Sequence, residues 1–140
     1  MPKNVVVDAG PIVAWLRADD PQHGWAAEQI GRLPPPLISC EAALSEASHL
    51  VWCGGGDPAW VISLVVKGVI RVGISVEEQT AQLQTLMKKY RDVPMSLADA
   101  CLVRMTELFN DAAVMTFDSD FRIYRRSGRA LVPLIAPEGI

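Results

Sequence analysis

Four acidic residues stand beside predicted strand ends or helix starts: Asp8, Glu46, Asp99 and Asp118. Asp8 closes the apolar run Val5-Val6-Val7, and Ala9-Gly10-Pro11 then breaks the strand. Glu46 falls in the second turn of the helical stretch after Leu37-Ile38-Ser39-Cys40. Asp99 follows Ser96 by three residues, and Asp118 follows the strand Ala113-Val114-Met115-Thr116. Carboxylates brought together offer only oxygen ligands, which suit hard divalent cations such as Mg²⁺ or Mn²⁺. Without a cation they repel one another and their pKa values rise. Each acid also has a purely local use. Asp8 can cap the helix after it, Ser96-x-x-Asp99 fits a capping box, Glu46 fits a solvated helix face and Asp118 fits an Asx-turn. The chemical reading therefore depends on whether four distant segments meet.

The intervening elements say that they do. Short helices are predicted over 12–16 and from Pro21 to about residue 32, joined to strand 37–40 by the stiff Leu33-Pro34-Pro35-Pro36. A helix runs from Glu41 to about Trp52, and Cys53-Gly54-Gly55-Gly56-Asp57-Pro58 turns into another over about Ala59 to Lys67. Strand 69–72, a longer helix that Ser75 or Val76 opens and Asp92-Val93-Pro94 closes, a helix over Leu97–Phe109, strand 113–116 and a single helical turn from Asp118 follow. A last strand covers Ala130 to Ile135. Strands that are unbroken apolar runs, alternating with helices, indicate a central, mostly parallel twisted sheet covered on both faces, a three-layer α/β/α sandwich. In such a sheet functional groups gather at the carboxyl ends of the strands. Asp8, Glu46, Asp99 and Asp118 all fall at that edge, with Glu41 as an extra carboxylate near it that has no assigned role.

Composition limits the alternatives. A chain of 140 residues, 50% hydrophobic, suits one domain over 1–140 and excludes intrinsic disorder. The net charge of −3 gives no global attraction to nucleic acid, so any such contact needs a local basic patch. Cys40, Cys53 and Cys101 have neither disulfide nor zinc spacing and read as small core residues of a reducing, cytoplasmic compartment. The most apolar window, Trp60 to Ile74, is too short and too charged to span a membrane, and the N-terminus carries no signal-peptide pattern.

The ordered motifs resemble the PIN-domain family of metal-dependent ribonucleases, and most closely its VapC-like toxin branch. The matching residues are Val5-Val6-Val7-Asp8-Ala9-Gly10-Pro11, Glu46, Ser96-Leu97-Ala98-Asp99-Ala100 and Thr116-Phe117-Asp118-Ser119-Asp120-Phe121, and they span nearly the whole chain. The resemblance implies a PIN-like fold, with an acidic cluster of Asp8, Glu46, Asp99 and Asp118 holding Mg²⁺ or Mn²⁺. Thr116 is implied as a supporting hydroxyl and Asp120 as a substitute or partner for Asp118. It implies hydrolysis of RNA phosphodiester bonds, with Asp8 and Asp99 as direct metal ligands. It also implies a homodimer and a small cognate antitoxin protein. One departure is Gly10, where many members carry Ser or Thr. A PIN-like module that binds RNA or protein without cutting is the alternative.

Other patterns weigh less. Arg122, Arg125, Arg126 and Arg129 follow Asp118 closely and are candidate RNA-phosphate contacts, a solvated face being the plain alternative. Lys88, Lys89 and Arg91 form a weaker basic group. Glu46-x-x-His49 occurs in di-iron bundles, but those need two such motifs. His23 has no evident partner and reads as surface. Gly54-Gly55-Gly56 lacks the Lys-Ser/Thr of a phosphate loop. Trp52 and Trp60 flank that turn as core or as interface.

Overall fold

A computed structural model describes all residues, 1–140. Its centre is β1 (Asn4–Val7), where β-branched residues favour the extended chain. Val5 and Val7 point into one core and Val6 into the other, so both faces of the strand are dry. That two-sided burial is why the strand reads as a continuous apolar run.

Beside it lie β2 (Leu37–Ser39) and β4 (Ala112–Met115), and outside these β3 (Ile70–Val72) and β7 (Leu134–Ile135). The order is β3-β2-β1-β4-β7 and every pairing is parallel, as expected from the sequence. α1 (Ala9–Leu16), α2 (His23–Gly31), α3 (Glu41–Cys53) and α4 (Ala59–Val66) pack on one side. α5 (Thr80–Lys89) and α6 (Leu97–Leu108) pack on the other. No helix is long and apolar enough to cross a membrane.

Several boundaries differ from the sequence reading. α1 begins at Ala9, because Asp8 itself caps the helix and Gly10 and Pro11 fit its first turn. The long helix is split into a 3₁₀ turn, Glu77–Gln79, and α5. The single last strand is two short ones. β6 (Ala130–Leu131) pairs antiparallel with β5 (Arg125–Arg126), and Val132-Pro133 then leads into β7. Pro133 has no N–H for a ladder, so the break falls beside it.

Side-chain expectations change too. Cys53 is exposed, with its Sγ 3.4 Å from His49 Nε2, whereas Cys40 and Cys101 are core residues. His23 is half-buried and its Nδ1 lies 2.8 Å from the carbonyl oxygen of Ala14, so it ties α2 to α1. Trp52 and Trp60 are 63% and 43% exposed and do not belong to the core.

Candidate active site

The register of β1 against β4 pairs Val7 with Met115, so the next residues, Asp8 and Thr116, emerge side by side at the carboxyl edge. The Thr116 hydroxyl donates to Asp8 Oδ2 at 2.7 Å. The amide of Ala9 donates to Asp8 Oδ1 at 2.8 Å, which is the capping bond of α1. Thr116 Oγ1 in turn accepts from the amide of Asp118 at 3.0 Å. Asp118 Oδ1 accepts from the amide of Asp120 at 2.9 Å, an Asx-turn that opens the 3₁₀ turn Ser119–Arg122. The local uses foreseen for Asp8 and Asp118 are thus real. They fix the carboxylates in place without consuming all their lone pairs.

Asp99 reaches the same edge from the other core. Ser96 caps α6 by accepting from the Asp99 amide at 3.0 Å, and Asp99 Oδ2 accepts from the Tyr124 hydroxyl at 2.7 Å. Tyr124 is fully buried and packs edge-on against Tyr90 at 5.1 Å and Phe121 at 5.2 Å. Its role was not visible in the sequence, because a lone tyrosine 25 residues from its partner leaves no local signal. Ser39 was missed for the same reason. It is buried at the end of β2 and donates to the Val7 carbonyl at 2.8 Å, bracing the chain just before Asp8. Glu46 comes from the second turn of α3 and is exposed. Glu41 occupies the first turn of α3, where a negative charge complements the helix dipole.

Electrostatics tie these residues together. Burial pushes the Asp8 carboxyl up to about 6, and Asp99 and Glu46 add to the rise while Thr116 and the Ala9 amide oppose it. Burial also raises Glu46, and Asp99 and Asp118 raise it further. Asp99 is raised by burial and by Asp118, against the hydrogen bonds from Tyr124 and Ser96. The three ion pairs, Arg17–Asp19, Arg32–Glu28 and Arg104–Glu107, involve none of these acids. The edge is therefore a patch of mutually repelling carboxylates with no protein cation paired to it. That donor set fits a hard divalent cation. No group of three ligating side chains closes into a ready-made cage.

The sequence and the shape then point the same way. The family model described as PIN domain matches residues 5–127. The chain belongs to the PIN-domain family. Among solved structures it is similar to VapC20 of Mycobacterium tuberculosis, a toxin that cleaves the sarcin-ricin loop. That match has 20% identity, a TM-score of 0.75, and covers 84% of this chain and 92% of the other. A search of curated protein sequences gives no match.

The Gly10 departure has a steric reason. A Cβ at Gly10 would lie 3.0 Å from Phe117 Cδ2, so the aromatic ring fills the space that a larger residue needs. In this PIN domain the hydroxyl that meets Asp8 comes from Thr116.

The basic run takes a different course from the acids. Arg126 Nη2 donates to the Thr106 carbonyl at 2.8 Å, in the last turn of α6, two helical turns away from Asp99. Arg125 Nη1 donates to the carbonyls of Arg122, Ile123 and Tyr124 at 2.7, 3.0 and 3.0 Å. The Ser127 amide bonds the Glu107 carboxylate at 2.5 Å, so the β5–β6 hairpin, with Arg129, runs along α6 away from its N-terminus. Arg122 stays in the 3₁₀ turn that Asp118 opens, and its Nε donates to the carbonyl of Ile140. Lys89 Nζ donates to the Gly128 carbonyl at 3.1 Å.

Proposed function

We propose that this PIN domain is a metal-dependent endoribonuclease that hydrolyses RNA phosphodiester bonds and serves as the toxin of a toxin–antitoxin pair. The observation that carries this reading is that Asp8, Glu46, Asp99 and Asp118 come to one sheet edge with no protein cation paired to them, where burial first and mutual repulsion second raise the carboxyls of Asp8, Glu46 and Asp99. Asp8 and Asp99 would hold Mg²⁺ or Mn²⁺, with Glu46 and Asp118 completing the acidic ring. The ion, when bound, supplies Lewis acidity at the phosphoryl oxygen and a more acidic water.

The chain's own groups do the rest. Thr116 and the Ala9 amide fix the two oxygens of Asp8, and Tyr124 fixes Asp99. To Glu46, exposed and with its carboxyl raised by burial and by Asp99 and Asp118, we assign the orientation of the attacking water. Asp118, turned by its bond from Asp120, comes from the strand on the other side of β1, and its charge reaches Glu46 and Asp99. Of the four arginines, Arg122 is the one we assign to the RNA backbone, because it remains nearest the acids in the chain. The exposed apolar side chains of α3 and α4, Trp52, Trp60, Ile62 and Val66, are the surface we assign to protein contact, a second copy or an antitoxin.

The test is cleavage of RNA by purified protein with Mg²⁺ or Mn²⁺, repeated with EDTA and with Asp99→Asn. Cleavage that needs the metal and is lost in the variant supports the reading. Equal cleavage by both proteins marks a contaminant or a different site. RNA or protein binding without any cleavage points to the non-catalytic module.

A further inference from the structure

A groove opens beside the acids, between α1 and α3, with a volume of ≈ 390 Å³. Its lining includes Gly10, two residues after Asp8, and Phe117, which stands between Thr116 and Asp118. Leu50 also lines it and lies one helical turn after Glu46, on the same face of α3. The groove therefore borders three of the four acids through their immediate neighbours.

One end is flat and apolar. Trp25 holds the Phe117 ring edge-on at 5.5 Å, and the ring sits over Gly10, where the missing side chain leaves room for it. Leu50 and Val13 supply the other apolar wall, and Leu50 is 41% exposed.

The far end is polar and rigid. Arg17 grips Asp19 through Nε at 3.0 Å and Nη2 at 2.7 Å. Its guanidinium meets Gly54 end-on through Nη1, in space that a Cβ there would occupy. Nε and Nη2 are taken by Asp19 and Nη1 by the packing on Gly54, so the pair presents the 71% exposed Asp19 carboxylate, held in one orientation and with lone pairs to spare. Asp20 lines the same end. Two carboxylates against one guanidinium disfavour a phosphate here. A flat neutral ring with its own donors and acceptors suits both ends.

We propose that this groove seats one nucleobase of the RNA strand beside the phosphodiester that is cut. Phe117 and Leu50 contact its faces, and the Arg17–Asp19 pair reads its edge. A carboxylate that the Arg17 fork holds in place discriminates between base edges, because a base without a matching donor leaves it unpaired. This inference rests on the ribonuclease reading and adds the origin of its sequence preference.

The experiment has two arms, each with wild type, Leu50→Trp and Arg17→Gln, and thermal unfolding confirms that the variants fold. In the first, a randomised RNA pool is cut with Mg²⁺ and the new ends are sequenced. In the second, four homo-oligoribonucleotides are bound in EDTA, without cleavage. Wild type should prefer one base at one position beside the cut, and should bind one homo-oligomer about tenfold tighter than the others. Both variants should flatten these preferences to about twofold or less, because one fills the groove and the other removes the fork. Base preference that persists in both variants overturns the proposal, as does wild type that discriminates among no oligomers. If wild type cuts no RNA yet binds one oligomer selectively, and Leu50→Trp loses that selectivity, the nuclease reading falls and the base seat stands.

Discussion

Replacing Asp8 by asparagine should stabilise the metal-free protein at neutral pH. Asp8 is 8% exposed and its carboxyl is raised from 3.8 to about 6 in the fold. A raised carboxyl means that the folded state binds the proton more tightly than the unfolded chain does. Stability from this group is therefore greatest below the unfolded value and declines as pH rises through the window from 3.8 to about 6. At about 1.4 kcal/mol per pKa unit, the ionised carboxylate destabilises the fold by roughly 3 kcal/mol once pH exceeds that window. For a chain of 140 residues that corresponds to a change in Tm of about 10 °C. Asparagine keeps a carbonyl to accept from the Ala9 amide and carries no charge to repel Glu46 and Asp99. Urea unfolding in EDTA at pH 4 and at pH 8 measures the effect. Asp8→Asn should exceed wild type by up to roughly 3 kcal/mol at pH 8, with the advantage largely gone at pH 4. Adding Mg²⁺ should stabilise wild type and leave the variant unchanged. A variant that is less stable than wild type at pH 8 without metal would refute the account of a repelling, unpaired acidic edge.

Other outcomes follow from the same contacts. Thr116→Val keeps the shape but removes a fully buried hydroxyl that serves Asp8 and the Asp118 amide; denaturant unfolding should show a loss of about 1–3 kcal/mol. The acid limb of its cleavage–pH profile should also move to higher pH, since that hydroxyl holds the Asp8 carboxyl down. Tyr124→Phe keeps the ring packing but frees Asp99 Oδ2, so Asp99 rises further and the acid limb again moves up, with a stability change of about 1 kcal/mol. Arg126→Met removes the bond to the Thr106 carbonyl; it should reduce stability by about 1–3 kcal/mol while leaving RNA affinity within about twofold, as read by unfolding and by filter binding.

The all-parallel sheet was legible because strands buried on both faces must be apolar throughout, and Val5-Val6-Val7 and Ala112-Ala113-Val114-Met115 are. Once the strands are parallel, the connectivity alone brings Asp8, Asp99 and Asp118 to one edge and points the start of α3 there with Glu46. The local devices were legible too. Ser96 caps α6, and Asp118 makes its Asx-turn, because such bonds span only two or three residues.

Contacts across the fold were not legible. The Tyr124 hydroxyl on Asp99, the Ser39 hydroxyl behind Asp8 and the Phe117 ring over Gly10 join residues whose pairing depends on register and packing, not on spacing. The arginine run shows the difference most clearly. Its closeness to Asp118 in the chain suggested closeness in space, but the β5–β6 hairpin carries Arg126 to the last turn of α6. The sequence by itself determined which acids exist and which edge they reach, because topology follows from the order and burial of elements. Only the tertiary structure decided which neutral groups orient them and where the cations go, because those partners are chosen by side-chain packing between distant segments.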